Sequence, residues 1–267
     1  MNILFIGDIF ASSGRAIVAD NLNRLISEHK IALAIANGEN SAGGFGITPL
    51  ITEELLSLGL DVLTGGNHSF DKREIHDYID HQPRLLRPAN YPPGLPGSGV
   101  FIATARNGVP YAVLNLQGRA HMANIDCPFR KADELLTALD PAIKIRFVDF
   151  HAELTSEKMA MGWHLNGRVT AVIGTHTHVP TADARVLPAG TAYISDVGMT
   201  GPRGGVIGVK RELAIEAMAT KMPVRFETST EDPWLHAVVI TAGPEPMRAT
   251  AIEQVLEPST VRAGEGG

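Results

Sequence analysis

The sequence predicts an α/β layered fold with mixed sheets and outer helices, and three observations predict it. Short apolar runs of strand length alternate with helical patterns early in the chain, the signature of helices covering a sheet. A hairpin signal in the middle and short apolar runs in the C-terminal third add antiparallel strands, which favours a mixed sheet or a two-sheet sandwich over an all-parallel sheet. Polar residues of chemical interest stand where the apolar runs end.

The elements follow in order. Asn2 to Ile6 runs into Gly7-Asp8, and Ile17, Val18, Leu22, Leu25 and Ile26 give a helix over about Arg15 to Glu28. Ile31 to Ala36 runs into Asn37-Gly38-Glu39-Asn40. Thr48 as N-cap with Pro49 behind it opens a helix that ends near Gly59. Val62-Leu63 runs into Gly65-Gly66-Asn67-His68. After Pro92, Pro93, Gly94, Pro96 and Gly97, the runs Val100 to Ala105 and Tyr111 to Leu116 flank a turn at Asn107-Gly108, a hairpin. Ile143 to Phe150 ends at His151, a helix spans about Thr155 to Asn166 with Gly167 as its stop, and Ala171 to Gly174 ends at Thr175-His176-Thr177-His178. Tyr193 to Ser195 and Leu235 to Thr241 are the short runs expected to be antiparallel, and the Gly-rich tail from Val261 to Gly267 is expected to fray. The whole is expected to be one domain over 1–267, with a small subdomain or insertion at about 90–130 left open.

Composition narrows the class. With 267 residues, 44% hydrophobic and 19% charged, the chain has material for a large core and is not a disordered polyelectrolyte. A net charge of -6 and 6% aromatics argue against a general nucleic-acid binder, but not against an enzyme whose bound cations reverse the local field. Cys127 is the single cysteine, so no internal disulfide forms, and it reads as a small packed thiol. No run of about 18 apolar residues exists, and Asp8 interrupts the apolar N-terminus, which reads as a first strand rather than a leader; the expected location is cytoplasmic, away from membranes.

Asp8, Glu39, Asn40, Asn67, His68, His151, His176 and His178 each stand at or near a strand's carboxyl end, where α/β folds gather ligands. An oxygen and nitrogen inventory without thiolate suits Mn²⁺, Fe²⁺ or Zn²⁺, and the set is too large for one ion with open positions. Singly these residues read as turn chemistry; together, with two histidines two apart after one strand, they read as a dinuclear site.

Gly7-Asp8, Gly38-Glu39-Asn40, Gly66-Asn67-His68 and Gly174-Thr175-His176-Thr177-His178 resemble the ordered motifs of calcineurin-like metallophosphoesterases. The nearer resemblance is to the YmdB-like branch, through Asn40-Ser41-Ala42-Gly43-Gly44-Phe45-Gly46, Val148-Asp149-Phe150-His151-Ala152-Glu153, Met161-Gly162-Trp163-His164 and the block from Ile173 to Asp183. The resemblance implies a four-layer α/β/β/α sandwich and a metal-dependent phosphodiesterase acting on 2′,3′-cyclic nucleotides. It implies one divalent ion on Asp8, Glu39, Asn40 and His178 and a second on Glu39, Asn67, His151 and His176, with iron or manganese first and zinc next. His68 is then the general acid, facing attack by a metal-activated hydroxide. Two departures from the wider superfamily stand out: Phe10 occupies the place of a ligand histidine, and Glu39 that of the bridging aspartate, with Asn40 as the substitute ligand.

A nucleotidase or other phosphomonoesterase on the same scaffold is the alternative activity, and a regulatory protein acting through an RNA-processing partner the alternative class. RNA ends are a further candidate substrate, and self-association stays open. Among flanking residues, Asp149 and Glu153 stand either side of His151, placed to orient a ligand or to form a solvated salt bridge, Arg119 is the cation nearest to hand for a phosphate oxygen, and the Gly43 to Gly46 loop has bare backbone to approach a phosphate or base. His121 and His164 lie near motifs without a role, and His29, His76, His81 and His236 read as surface or satisfied histidines.

Overall fold

The computed structural model describes residues 1–244 and 248–259; the fraying expected of Val261 to Gly267 lies outside them. Along the chain, β1 (Asn2–Ile6) and β2 (Asp8–Ile9) lead into α1 (Ala11–Glu28), β3 (Ile31–Asn37), α2 (Pro49–Ser57), β4 (Val62–Thr64) and the short α3 (Ile75–Tyr78). The hairpin β5 (Val100–Thr104) and β6 (Pro110–Gln117) follows, then α4 (Pro128–Ala138), β7 (Ile145–His151), α5 (Thr155–His164) and β8 (Ala171–Thr175). The rest comprises β9 (Arg185–Val186), β10 (Ala192–Ile194), β11 (Met199–Pro202), α6 (Arg211–Thr220), β12 (Pro233–Ala242) and β13 (Ala249–Pro258). A seven-stranded sheet runs β2-β11-β12-β1-β3-β4, with β13 on β12, and a six-stranded sheet runs β5-β6-β7-β8-β10-β9.

Alternation of side chains along buried strands builds four layers. In β1, Ile3 and Phe5 point between the sheets, where Phe5 stacks on Phe147 of β7 at 5.2 Å between ring centroids. Leu4 and Ile6 point the other way, onto Ile17, Val18, Leu22 and Leu25 of α1. The second sheet repeats the pattern: Phe147 faces inward, while Val148 and Phe150 meet Leu136 of α4 and Met161 of α5. Both faces of these strands are covered, which is why they read as continuous apolar runs rather than strict alternation. Each fully buried Leu, Ile or Phe contributes roughly 1.5–3 kcal/mol to this arrangement.

The fold is the α/β/β/α sandwich with mixed sheets and outer helices. Thr48 caps α2, accepting from the Ile51 amide at 3.3 Å, with Pro49 behind it. The predicted hairpin forms, with Val100 opposite Leu114 and Thr104 opposite Pro110, and joins the second sheet through parallel pairing of β6 with β7. Two expectations need correction. Helix α1 starts at Ala11, not near Arg15, because Gly14 lets its first turn press on β11; a Cβ there would lie 2.4 Å from the Thr200 carbonyl oxygen. The Tyr193 run is parallel to β8 and antiparallel only to β9, whereas the Leu235 run is antiparallel to its neighbours. Among the described residues, no helix is long and apolar enough to cross a membrane.

Candidate active site

Strands β1, β3 and β4 run parallel in one sheet, and β6, β7 and β8 in the other. The segments that leave their carboxyl ends converge at one edge of the sandwich. Asp8, Glu39, Asn40 and Asn67 come from the first sheet; His151, His176 and His178 come from the second. Contacts across the seam tie them together. Asp8 Oδ2 accepts from the His176 amide at 3.3 Å, Asn40 Nδ2 lies 3.1 Å from His178 Nε2, and Asn67 Oδ1 lies 2.9 Å from His151 Nε2.

Four atoms crowd one point. His151 Nε2 is 3.0 Å from Glu39 Oε1, 2.9 Å from Asn67 Oδ1 and 3.1 Å from His176 Nδ1. Ligand atoms of Glu39, His151 and His176 all lie within 4.8 Å of one another. A single imidazole proton serves one acceptor, so several lone pairs converging here match a cation better than a hydrogen bond. Glu39 reaches toward both halves of the site: Oε1 also faces Asn40 Nδ2 at 3.3 Å, and Oε2 accepts from the His68 amide at 3.0 Å.

Three further observations fit a metal. Asp8 Oδ1 is buried and has no partner among the described residues, a cost of about 1–3 kcal/mol that a cation would remove. Gly66 leaves room beside the ligand atoms, since a Cβ there would lie 2.4 Å from both Glu39 Oε2 and His151 Nε2. Finally, burial alone would depress the His151 imidazole, but the Glu39, Asp8 and Asp149 carboxylates outweigh it and lift it to about 9. Glu39, for which burial acts upward, is held down at about 2 chiefly by His151. Burial and the positive His151 push His176 down to about 3, so the pocket attracts one positive charge at this point and resists a second protonated ring. Asn40 presents Nδ2 to His178 Nε2; turning its amide by half a rotation puts the oxygen there, as a metal would require.

The outer hydrogen bonds set each ring's tautomer. Thr175 donates to Asp149 Oδ1 at 2.7 Å and accepts from His151 Nδ1 at 2.9 Å, leaving Nε2 free to bind. His176 Nε2 pairs with Glu153 at 3.0 Å and presents Nδ1; His178 Nδ1 donates to the Ile207 carbonyl at 3.1 Å and presents Nε2. Asp149 is fully buried, held by Thr64 and Asn37, and burial pushes its carboxyl up to about 7. Both acids flanking His151 therefore orient a candidate ligand, Glu153 holding His176 directly and Asp149 acting on His151 through the Thr175 hydroxyl. The loop carrying His176 and His178 is anchored by a buried ion pair that sequence reading missed. Lys158 Nζ donates to Asp196 Oδ2 at 2.6 Å, and that oxygen also accepts from the Thr177 amide at 3.0 Å and its hydroxyl at 2.8 Å. The i, i+3, i+4 placement of Lys158, Met161 and Gly162 on the buried face of α5 was the available signal. Both histidines adopt positive φ, +104° at His176 and +66° at His178, strain of the kind found at functional sites.

His68 stands beside this cluster with its ring partly exposed and Nδ1 2.7 Å from Asp71 Oδ2. It lines a cavity of about 760 Å³ together with Glu39, Asn40, His176 and His178. Phe10 packs edge-on against His178 at 5.8 Å, a packing role where the wider superfamily has a ligand. Arg119 is exposed and does not line this cavity, whereas Arg225 does. His164 pairs with Asp133, His121 is exposed, and Cys127 is a half-buried free thiol. His236 is buried, not superficial, and its Nδ1 has no partner among the described residues.

A four-layer sandwich with acid, amide and imidazole groups meeting across its seam defines a metallophosphoesterase scaffold, and the chain belongs to the YmdB-like protein family, whose model matches residues 4–255. A Bacillus subtilis (strain 168) relative, named 2′,3′-cyclic-nucleotide 2′-phosphodiesterase, is 49% identical over 256 residues, which is 96% of this chain and 97% of that one. The crystal structure of a hypothetical protein from Thermus thermophilus superposes with a TM-score of 0.90 at 38% identity, covering 97% of this chain and 99% of that chain. That of a Mycoplasma pneumoniae protein described as a novel phosphatase gives 0.89 at 33% identity, covering 97% and 93%.

Proposed function

We propose that the protein is a dinuclear metal-dependent phosphodiesterase that hydrolyses 2′,3′-cyclic nucleotides. The observation that carries this reading is the convergence of Glu39 Oε1, Asn67 Oδ1 and His176 Nδ1 on His151 Nε2, with Glu39, His176, Asn40 and His178 lining a cavity of about 760 Å³. The name of the 49% identical Bacillus relative supports the substrate class, and with it scission of the 2′ ester to leave a 3′-phosphate.

In this reading Asp8, Glu39, Asn40 and His178 would hold one ion and Glu39, Asn67, His151 and His176 the other, with Glu39 common to both sets. Manganese or iron suits the mixed donor set best, with zinc next. Bound there, two divalent cations would acidify a water and neutralise charge on the phosphoryl group. The chain's own part is geometric and acid–base. Thr175, Glu153 and the Ile207 carbonyl keep a lone pair of each ring turned inward. His68, with Nδ1 held by Asp71, donates the proton that the departing ribose oxygen needs.

The Mycoplasma structure's description as a phosphatase favours a second reading, a monoesterase on the same residues. A panel of 2′,3′-cyclic nucleotides, linear diesters and monoesters on manganese-loaded protein separates the two. We expect cyclic substrates to lead; a 3′-nucleotide turned over tenfold faster in kcat/KM would establish the monoesterase instead. Asn67→Ala and His176→Ala should lose metal by elemental analysis. His68→Ala should keep it and lose roughly 10²–10⁴-fold in kcat.

A further inference from the structure

We propose that Phe45 and Phe226 form a stacking platform that holds the nucleobase at the mouth of the cavity; this rests on the phosphodiesterase reading above. Phenylalanine is ordinarily buried. Here Phe45 is 48% exposed and Phe226 55% exposed, and both line the same cavity of about 760 Å³ as Glu39, Asn40, His176 and His178. That volume lies within the range of small-molecule sites.

Each ring is carried by a segment tied to the site. Phe45 sits in a loop that begins at Asn40 and turns through Gly43, Gly44 and Gly46, with φ of +72°, +98° and +75°, a path closed to most other residues. The Gly44 amide donates to the Asn40 carbonyl at 3.2 Å and the Ala42 amide to the Gly46 carbonyl at 2.9 Å, so the loop is fastened on itself. Lys72 Nζ lies 3.8 Å from the Phe45 ring centroid, a cation–π contact that steadies the ring. Phe226 belongs to the excursion between β11 and β12, whose Ile207 carbonyl holds His178. Pairing of Val209 with Thr228 fixes that stretch, and a Cβ built on Gly44 would meet Thr228 Cγ2 at 3.4 Å, so the two segments lie side by side.

The chemistry follows from the substrate's shape. With the cyclic phosphate at the buried ligand cluster, the base on the same ribose extends toward the exposed part of the cavity lining, to which Phe45 and Phe226 belong. Stacking on aromatic faces is tolerant of base identity, because every base has a π-face. The platform therefore selects nucleosides over base-less sugar phosphates while discriminating weakly among bases.

The test compares 2′,3′-cyclic AMP with the 2′,3′-cyclic phosphate of 1-O-methylribose on manganese-loaded protein. The wild type should show the lower KM for cyclic AMP. Phe45→Ala and Phe226→Ala should each raise that KM roughly tenfold, with kcat changing less, so the preference collapses. Phe45→Trp should restore it. If an alanine variant misfolds, Phe45→Leu or Phe226→Leu keeps the apolar bulk and removes the π-face. Adenosine titrated into metal-free protein gives a readout independent of turnover: the wild type should bind it, and the double variant several-fold more weakly. An unchanged KM ratio together with unchanged adenosine affinity overturns the platform. If the wild type hydrolyses neither cyclic phosphate, the phosphodiesterase reading fails, and the adenosine titration alone decides the platform.

Discussion

Replacing Thr175 by valine keeps the shape and branching of a residue at the end of β8 and removes only its hydroxyl. Two buried hydrogen bonds go with it, 2.9 Å to His151 Nδ1 and 2.7 Å to Asp149 Oδ1, at residues with no solvent exposure. A buried polar group left unpaired costs about 1–3 kcal/mol, so the metal-free protein should lose about 2–5 kcal/mol of stability, read as a lower urea midpoint at constant slope. The ring also loses the contact that keeps Nε2 as its free nitrogen. Outer contacts of this kind are worth roughly 10–100-fold in metal affinity, and we expect a loss of that size in a manganese titration. Thr175→Ser, which returns the hydroxyl, should recover most of the affinity while sacrificing a methyl. If Thr175→Val bound manganese within twofold of the wild type, the relay from Asp149 through Thr175 to His151 would have no part in setting the ligand.

Other outcomes follow from single distances and charges. Gly66→Ala places a methyl 2.4 Å from Glu39 Oε2 and His151 Nε2. These must part by about 1 Å, and displacements of that order cost about 10²-fold in rate. Elemental analysis should show metal lost as well; full loading with full activity would refute the cradle. His151, lifted to about 9, carries a proton at pH 7 that a metal must displace. Calorimetry in buffers of different ionisation heat should therefore show proton release at neutral pH that falls by about one proton per chain above about pH 9. No buffer dependence at pH 7 would count against this. Burial, and then the charge of Arg203, depress His236 to about 4 from 6.5. The unfolded chain thus takes up this proton first, and the contribution present above pH 6.5 falls as the pH drops, levelling off below about 4. The loss is about 3 kcal/mol. Urea unfolding of His236→Leu should lose correspondingly less between pH 7 and 4 than the wild type; parallel losses would contradict it.

The site's framework was legible because a polar residue ending an apolar run breaks the pattern visibly, as at Asp8, Glu39, Asn67 and His151. Asp149 and His151, two apart on one strand, were readable as a pair on the same face. The partners from other segments were not. Asp71 reaches His68 from the turn that follows, Glu153 crosses to His176, and Asp196 meets Lys158 from 38 residues away. Nothing in local periodicity encodes those meetings. Helix α4 left a weak trace in Pro128, Ala132 and Leu136, but α6 buries Ala214 alone, so it carries no apolar stripe to find. The start of α1 was hidden by Ser12, Ser13 and Gly14, poor helix formers accepted for the close approach to β11.

The candidate ligands are drawn from both sheets, with Asp8 in β2 and His178 170 positions later. Neither half of the chain holds a complete set. A ribosome-bound half would offer acids and amides without their imidazoles, so the ions are expected to arrive only after the sandwich has closed. Metal uptake by this protein would then serve as a timer for the end of folding. It would also act as a rivet across the seam, resisting the sliding of one sheet over the other more than it strengthens either sheet alone.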